Sequence, residues 1–352
     1  MPKIKFLHCC TKITDAVKDC LEEVPRRGGM YNWLFLFKGE ILPYQYVDDF
    51  EKYDVIQVNM SAVDMNIIPE IRRKLGKSSS TMLVINNDYV AESWAGLGTH
   101  PLYYEQIQRL GDMVFGTEPY QTSCLIDGAF CMPHPHYVEV LKHVSIDEKD
   151  KESDSVAVMF HWWEGKTYLP ALLIQKIKQQ KRIFARIYGY REEYDDMKRW
   201  SKALWDERVT HLRYPDFIEH LLQNTIFIEP VQYHTYGRTT VDTAILGIPT
   251  VGSNRVFSMR KCFPYTSFDP VDIKGMTRAV LRLLEDEDFR EKVVRKAKEQ
   301  AEYFNYKNSK KRFLAALEMA QKGAHHLKNA FWVWDEKNEM FVSSKEVDLN
   351  AI

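Results

Sequence analysis

The stretch from Thr225 to Ser253 constrains the fold more than any other part of the sequence. It reads as an apolar strand, a loop, a helix that opens at Gly237, a turn at Gly247-Ile-Pro249 and a second apolar strand. The helix carries apolar residues at i, i+3, i+4 and i+7, which predicts one buried face formed by Val241, Ala244, Ile245 and Ile248. Strands that alternate with helices predict an α/β fold with parallel sheets.

The start of the helix at Gly237 has the features of an anion-binding site. A helix that directly follows a strand offers unpaired N–H groups and a positive dipole end to an anion such as a diphosphate. Arg238 adds a positive charge, and Asp242 lies about one turn, roughly 5 Å, further along. A carboxylate there could accept both hydroxyls of a ribose. The layout predicts a nucleotide-diphosphate site, and a plain strand–helix–strand unit with a glycine-capped helix is the alternative.

The same stretch resembles the donor-site motif of GT-B glycosyltransferases. The likeness is greatest for the large retaining group with the pattern Pro-Ser-x-x-Glu-x-Phe-Gly, five residues, Glu-Ala-x-Ala-x-Gly-x-Pro-Val-Val. The residues in register with it are Pro230, Gly237, Ala244, Gly247, Pro249 and Val251. The two glutamates of the family's E-x7-E pair fall on His234 and Asp242. The resemblance implies that Asp242 binds the ribose and that His234, which departs from the family, lies at the transferred sugar.

The resemblance also implies further donor contacts. After the strand Ser155–Phe160, the family has an arginine and a lysine that grip the diphosphate, and these positions fall on His161 and Lys166. A lysine before a helix N-terminus suits phosphate binding, although a solvated lysine is the alternative. The predicted donor-binding residues are His161, Lys166, Gly189, Arg213, Tyr214, Tyr236, Gly237, Arg238, Thr239, Thr240 and Asp242. The candidates for catalysis are His234, Asp88 and Lys166.

The first half of the chain predicts a second parallel sheet. Apolar runs at Ile4–Leu7, Asp54–Met60 and Thr81–Ile85 alternate with helical patterns. Ligands bind at the carboxyl ends of such strands. In the resembling family the loop after the third run faces the acceptor, which makes Asp88 a candidate acceptor-side group, with an ordinary Asn-Asp turn as the alternative.

We therefore predict an α/β, GT-B architecture of two doubly wound, Rossmann-like domains that face each other across a cleft. The predicted segments are an acceptor-side domain 1–146, a charged linker 147–154, a donor domain 155–308, a helix 309–325 that crosses back to the first domain, and a hairpin-like tail 326–352. An isolated hairpin is marginally stable, so the tail is expected to pack on the body or on another subunit of an oligomer.

Composition and charge limit the partners. Lys and Arg total 48 against 49 Asp and Glu, which gives no reason to expect nucleic acid or membrane over the whole surface. No secretory signal and no apolar stretch of about 18 residues occurs, so a soluble, cytoplasmic protein with reduced cysteines is expected.

The sequence favours no metal site. Cys124, Cys131, His134 and His136 are irregularly spaced, which indicates a proline-containing connector rather than a zinc site. The Asp286-Glu-Asp288 triplet lies between two helices, where acidic residues serve as caps.

The expected function is glycosyl transfer, without an obligatory metal or a permanently bound cofactor. The donor is expected to be a UDP-, GDP- or ADP-sugar, and the acceptor a hydroxyl-bearing glycan, lipid or small molecule, with retention at the anomeric carbon. Two alternatives remain open. One is a DNA-base-modifying glycosyltransferase, which needs a basic groove, and the other is a nucleotide-sugar-binding protein without turnover.

Overall fold

The computed structural model describes residues 4–23, 29, 31–61, 64–76, 79–87, 101–147, 152–160, 169–189, 204–210, 212–323 and 327–349. The chain folds into two compact units. The first contains Met1–Glu22, Gly28–His136 and Phe304–Ile352, and the second contains Glu23–Arg27 and Tyr137–Tyr303. The C-terminal segment therefore belongs to the same unit as the N-terminal half.

The first unit is built on an eight-stranded sheet with the order β14-β13-β6-β5-β4-β3-β1-β2. Its strands are β1 Phe6–Cys10, β2 Glu40–Pro43, β3 Val55–Asn59, β4 Met82–Asn87, β5 Met113–Gly116, β6 Phe130–Cys131, β13 Trp332–Asp335 and β14 Met340–Ser343. All neighbouring strands are parallel except the hairpin β13–β14, which is antiparallel. The helices are α1 Asp15–Glu22, α2 Asn32–Phe37, α3 Ile68–Leu75, α4 Pro101–Gln108, α5 Pro119–Ser123 and α13 Tyr306–Gln321.

Both faces of this sheet are covered. One face packs its aliphatic side chains, such as Leu7 and Ile56, against Ile68 and Ile71 of α3. On the other face an aromatic cluster is centred on Phe313 of α13. The ring centroid of Phe313 lies 4.9 Å from Trp33, 5.0 Å from Phe37, 6.0 Å from Phe6 and 6.3 Å from Phe115. Because burying a large aromatic side chain is strongly favourable, this cluster fixes α13 against the first sheet.

Two details of the first unit differ from the sequence expectations. The first strand is Phe6–Cys10 rather than Ile4–Leu7. The strand Glu40–Pro43 was not expected, because it is a short edge strand, mostly exposed or half-buried, that ends in proline. The hairpin, in contrast, was expected, and β13 joins it to the sheet through the pairing of Trp332 with Phe130.

The second unit is built on a six-stranded parallel sheet with the order β12-β11-β10-β7-β8-β9. Its strands are β7 Ser155–Phe160, β8 Phe184–Gly189, β9 Glu207–Thr210, β10 Ile226–Glu229, β11 Thr250–Ser253 and β12 Ser267–Phe268. Counted from its first strand, the order is 6-5-4-1-2-3, which is the doubly wound order of dinucleotide-binding domains. The direction of winding reverses between β7 and β10, which are direct neighbours.

The second unit also contains seven α-helices within the described residues. They are α6 Val138–Leu141, α7 Leu169–Lys178, α8 Tyr214–Leu222, α9 Arg238–Leu246, α10 Phe257–Cys262, α11 Ile273–Glu285 and α12 Glu287–Ala301. Asp286 caps α12 by accepting a hydrogen bond from the Phe289 N–H at 2.9 Å, as the sequence predicts. In the described part of the chain, no helix has the length and apolarity that crossing a bilayer requires.

Candidate functional site

The reversal point of the second sheet is the place where its site is expected. In open α/β sheets, ligands bind outside the carboxyl ends of the strands at such a point. The strand β10 ends there at Glu229, and after a short loop the chain enters α9 at Arg238. A ligand of this sheet is therefore expected at the loop and the first turn of α9.

Gly237 fixes the start of α9 and cannot be replaced without strain. Its φ of 79° lies in the left-handed region that disfavours side chains. A Cβ at this position would lie 2.1 Å from Val256 Cγ1 and 2.5 Å from Ser258 Oγ. Ser258 Oγ also donates a hydrogen bond to the Gly237 carbonyl at 2.6 Å. The loop is thus held against α10, and the N–H groups of the first turn of α9 are held in one orientation.

The first turn of α9 carries polar groups suited to an anion. The N-cap residue of α9 is Gly237, which has no side chain to cap the helix. Thr240 is fully buried, and its Oγ1 has no hydrogen-bond partner among the described residues. The Nε of the half-buried Arg238 has none there either. Backbone N–H groups, a hydroxyl and a guanidinium are the donors that a diphosphate requires.

Asp242 lies one turn further along α9 and is held by Tyr214. Both residues are buried, with 1% and 4% of their surfaces exposed. The Tyr214 hydroxyl donates a hydrogen bond to Asp242 Oδ1. Tyr214 is the first residue of α8, so this bond joins the start of α8 to α9.

The expectation that α9 buries one face was too narrow. Every residue from Thr239 to Ile245 is buried. The Thr243 hydroxyl is partnered on both sides: Thr243 Oγ1 donates to the Thr240 carbonyl at 3.0 Å, and Thr250 Oγ1 of β11 donates to Thr243 Oγ1 at 2.7 Å. Buried hydroxyls with partners carry little cost, so a helix with polar faces can lie inside the unit.

The remaining predicted site residues occupy different surroundings. Gly189 is the last residue of β8. Arg213 is mostly exposed, and its Nε lies 3.8 Å from Asp216 Oδ2. Tyr236 is buried, and its carbonyl accepts the Ser258 N–H at 3.1 Å. His234 is half-buried in the loop before α9.

Part of the predicted set is brought together and part is not described. Tyr214, Gly237, Arg238, Thr239, Thr240 and Asp242 meet on α8, α9 and the loop between β10 and α9. Asp88, His161 and Lys166 lie outside the described residues.

Residues that sequence reasoning missed lie in both units. Ser258 comes 21 residues after Gly237, and no local pattern connects the two. In the first unit, the buried polar residues of the strands are His8 on β1, Gln57 and Asn59 on β3, and Asn86 and Asn87 on β4. The signal for them is present in the sequence, since a polar residue in a strand that is covered on both faces is unusual.

The cysteines and histidines around residue 130 differ in their exposure. Cys124 is exposed, whereas Cys131, His134 and His136 are buried. The indole N–H of Trp33 donates to His134 Nδ1 at 3.1 Å. Within the residues that the structure describes, no group of three or more His, Cys, Asp or Glu side chains is arranged to hold a metal ion.

No protein-family model matches this chain, and no curated protein sequence matches it. Solved structures do match. TarM matches with a TM-score of 0.60 and 11% identity over 78% of this chain and 56% of TarM. A mutant of S. aureus TarM in complex with fondaparinux, α-GlcNAc-glycerol and UDP matches with a TM-score of 0.58 and 11% identity over 78% of this chain and 57% of that protein. This chain thus spans just over half the length of TarM.

Two further structures match over most of this chain. An α-glucosyltransferase in complex with UDP and a 13-mer DNA containing an HMU base has a TM-score of 0.60 and 10% identity over 91% of this chain and 100% of that protein. The apo structure of OtsA, a trehalose-6-phosphate synthase, has a TM-score of 0.57 and 9% identity over 75% of this chain and 72% of OtsA. With two parallel sheets and these structural neighbours, the chain has the GT-B fold of two Rossmann-like domains.

Proposed function

We propose that this protein is a glycosyltransferase that transfers a sugar from a nucleotide-sugar donor to a hydroxyl-bearing acceptor. The observation that carries the proposal is the arrangement at α9. A glycine-opened helix N-terminus and the buried, hydrogen-bonded Asp242 lie together at the reversal point of a parallel sheet. Diphosphate and ribose are the two parts of a nucleotide that such groups bind. The matching structures in complex with UDP support this assignment.

The chemical role of the site is to stabilise the leaving diphosphate. Negative charge develops on its β-phosphate as the bond to the sugar breaks. In the proposal, Arg238 and the N–H groups at the start of α9 stabilise that charge, and donors held in advance do so without reorganisation. Lys166 adds a second cation in the proposal, and no metal ion is required for this step.

Retention of configuration is part of the proposal. It follows from the resemblance to the retaining group, in which the residue at the position of His234 supports the transferred sugar. Because His234 replaces a glutamate, the sugar that this protein accepts is expected to differ from those of the family pattern. His234→Glu tests this point, since it should change the order of preference among nucleotide sugars.

The experiment is a panel of UDP-, GDP- and ADP-sugars incubated with the full-length protein, with release of nucleoside diphosphate as the readout. Melting temperatures with UDP, GDP and ADP alone are measured in parallel, because a ligand that binds only the native state raises the melting temperature. We expect one nucleotide to stabilise the protein and its sugar conjugate to be consumed. Stabilisation without release identifies a nucleotide-sugar-binding protein without turnover. No stabilisation and no release contradicts the proposal.

A DNA acceptor is the second candidate. One observation favours it: the α-glucosyltransferase in complex with DNA matches over 91% of this chain and over its own whole length. The balanced net charge of −1 does not favour it. A mobility shift with a 13-mer duplex containing an HMU base, together with sugar transfer to that duplex, decides the question. A glycan acceptor is indicated if neither binding nor transfer to the duplex occurs while saccharides are modified.

A further inference from the structure

A polar cluster lies within the first sheet, far in sequence from the donor-side residues. It consists of His8 on β1, Gln57 and Asn59 on β3, and Asn86 on β4, and at most 2% of any of these residues is exposed. His8 pairs in register with Gln57, and Asn59 with Asn86. Because paired residues of a parallel sheet point to the same side, the polar cluster occupies one face.

The position of the polar cluster along the strands is informative. On the same face, the beginnings of these strands carry Phe6 and Val55, which also pair in register. Parallel strands covered on both faces are normally apolar throughout. Here Phe6 and Val55 stand at the beginnings of their strands, His8 and Gln57 in the middle, and Asn59 and Asn86 at the last or last but one position. The strand order also reverses between β1 and β3, and such a reversal is where open α/β sheets bind ligands.

The hydrogen bonds of the polar cluster leave a donor on His8 and an acceptor on Asn86 unused. Asn59 Oδ1 accepts from Gln57 Nε2 at 3.3 Å and from Asn86 Nδ2 at 2.9 Å, and Asn59 Nδ2 lies 3.3 Å from His8 Nε2. His8 Nε2 is therefore the acceptor of its ring, which puts the proton of the neutral imidazole on Nδ1. Among the described residues, neither His8 Nδ1 nor Asn86 Oδ1 has a hydrogen-bond partner. Buried polar atoms without partners lower stability and are rare in folded proteins.

The electrostatic surroundings disfavour an anion. Burial lowers the pKa of His8 to about 4, so its ring carries no charge at neutral pH. The Asp64 carboxylate raises the pKa values of His8, Cys10 and Tyr31, although burial is the larger effect on each. Asp64 is half-buried, and its Oδ1 accepts the Thr11 N–H at 2.7 Å. A second negative charge brought to this place would be repelled.

We propose that the polar cluster binds an uncharged hydroxyl or amide group of the acceptor and disfavours a phosphate or carboxylate at that position. A hydroxyl can accept a hydrogen bond from His8 Nδ1–H, and a hydroxyl or an amide N–H can donate one to Asn86 Oδ1. Tyr31 lies edge-on to His8, with ring centroids 5.1 Å apart, and supplies an aromatic surface beside the polar groups. The assignment of this ligand as an acceptor rests on the proposed glycosyltransferase function.

The test is NMR of the His8 ring in the full-length protein labelled with 15N-histidine. The neutral probes are glycerol, methyl α-D-glucopyranoside and methyl N-acetyl-β-D-glucosaminide, and the charged probes are glycerol 3-phosphate and glucose 6-phosphate. We expect at least one neutral probe to shift the Nδ1 resonance and to bind about tenfold more tightly than its phosphorylated counterpart. The proposal is overturned if no neutral probe moves this resonance, or if a phosphorylated probe binds as tightly as the neutral one.

Three variants sharpen the result. Asn86→Ala should weaken neutral-probe binding about tenfold without changing nucleoside diphosphate binding. Asn224→Ala is the matched control: it removes a buried amide that bonds Arg186 and Tyr188 in the second unit, and probe binding should stay unchanged. Asp64→Asn keeps the size and the acceptor oxygen of the side chain, and it should lower the ratio of the affinities for neutral and phosphorylated probes. This ratio can still be measured if Asn86→Ala does not fold. An unchanged affinity ratio in Asp64→Asn contradicts the claim that the Asp64 charge disfavours an anion at the polar cluster.

The two proposals fail separately. If the protein binds no nucleoside diphosphate, the assignment of α9 to the donor is wrong, but the probe-binding experiment on the His8 ring can still be interpreted. A protein that binds the diphosphate and gives no His8 response contradicts only the assignment of the polar cluster.

Discussion

The hydroxyl of Tyr214 donates a hydrogen bond to Asp242 Oδ1 in the interior of the second unit. The two residues are 28 positions apart: Tyr214 is the first residue of α8, and Asp242 lies in the middle of α9. A buried carboxylate is stable only with hydrogen-bond donors. The bond therefore gives the buried carboxylate a hydrogen-bond donor and fixes the position of Oδ1.

Tyr214→Phe removes this donor and should reduce the preference for ribonucleotides. We expect the free energy of unfolding to fall by about 1–3 kcal/mol, because one buried donor to a charged group is lost. The ratio of affinities for a nucleoside diphosphate and its 2′-deoxy form should also fall. Calorimetric titrations with both nucleotides measure the ratio.

Tyr188→Phe is the control for that experiment. Its hydroxyl is also buried in the second unit, where it bonds Asn224 and the His220 carbonyl. It should lower stability without changing the ratio. Equal ratios in wild type and in Tyr214→Phe would show that the tyrosine has only a structural role.

Gly237→Ala should damage both folding and nucleotide binding. The left-handed conformation costs a residue with a side chain about 1–2 kcal/mol, and the new Cβ would also collide with Val256 and Ser258. Gly247→Ala is the matched control at the other end of α9, where φ is 76° and the nearest atom is at the flexible end of Lys298. We expect thermal unfolding to show the larger loss for Gly237→Ala, and only that variant to lose nucleotide affinity. Equal losses would show that the packing around Gly237 is unimportant.

Arg238→Gln should weaken binding of nucleoside diphosphates more than that of monophosphates. A charge-assisted hydrogen bond is worth about 1.5–3 kcal/mol, which corresponds to a loss of roughly tenfold or more in affinity. Arg282→Gln removes an exposed cation that pairs with Asp286 and serves as the control. The assignment of Arg238 to the diphosphate is wrong if both nucleotides weaken equally.

The stability of the protein should fall as the pH decreases from about 6.5 to 4. Burial lowers the pKa of His8 to about 4 from 6.5, so over this range the unfolded state binds a proton that the folded state does not. The contribution of the uncharged His8 to the free energy of unfolding is fully present above pH 6.5 and is lost as the pH falls to about 4. It amounts to about 3 kcal/mol, because each unit of pKa difference corresponds to about 1.4 kcal/mol. Urea unfolding at several pH values measures it.

His8→Gln should flatten the pH dependence of stability in this range, whereas His143→Gln, at an exposed position, should leave it unchanged. A curve for His8→Gln that is parallel to the wild-type curve would contradict the burial of a neutral His8.

Local signals in the sequence predict the helix α9. Gly237 and Gly247 bound α9 as expected, both with positive φ, because glycine at a helix end has a specific backbone reason. The acidic caps and the alternation of strands and helices are local in the same way. The parallel sheets followed from that alternation.

The rest depends on contacts between residues that are distant in the sequence. The sequence pattern predicts the hairpin β13–β14 but not the strand beside it. That strand is β6, and Trp332 pairs there with Phe130, which is far away in the sequence. The full burial of α9 depends on hydroxyl bonds such as that from Thr250 to Thr243. No periodicity reports such a bond, and none indicates that Tyr214 meets Asp242.

The most direct test of the donor site is calorimetric titration of the full-length protein and of Asp242→Asn with UDP, GDP and ADP. The asparagine keeps the size of the side chain and an oxygen that can accept the Tyr214 hydroxyl, so the fold should be retained. We predict that one of the three nucleotides binds the wild-type protein at a single site and that Asp242→Asn binds it about tenfold or more weakly. Absence of binding of all three nucleotides by the wild-type protein, or equal affinity in the variant, would contradict the assignment of α9 as the nucleotide-sugar site.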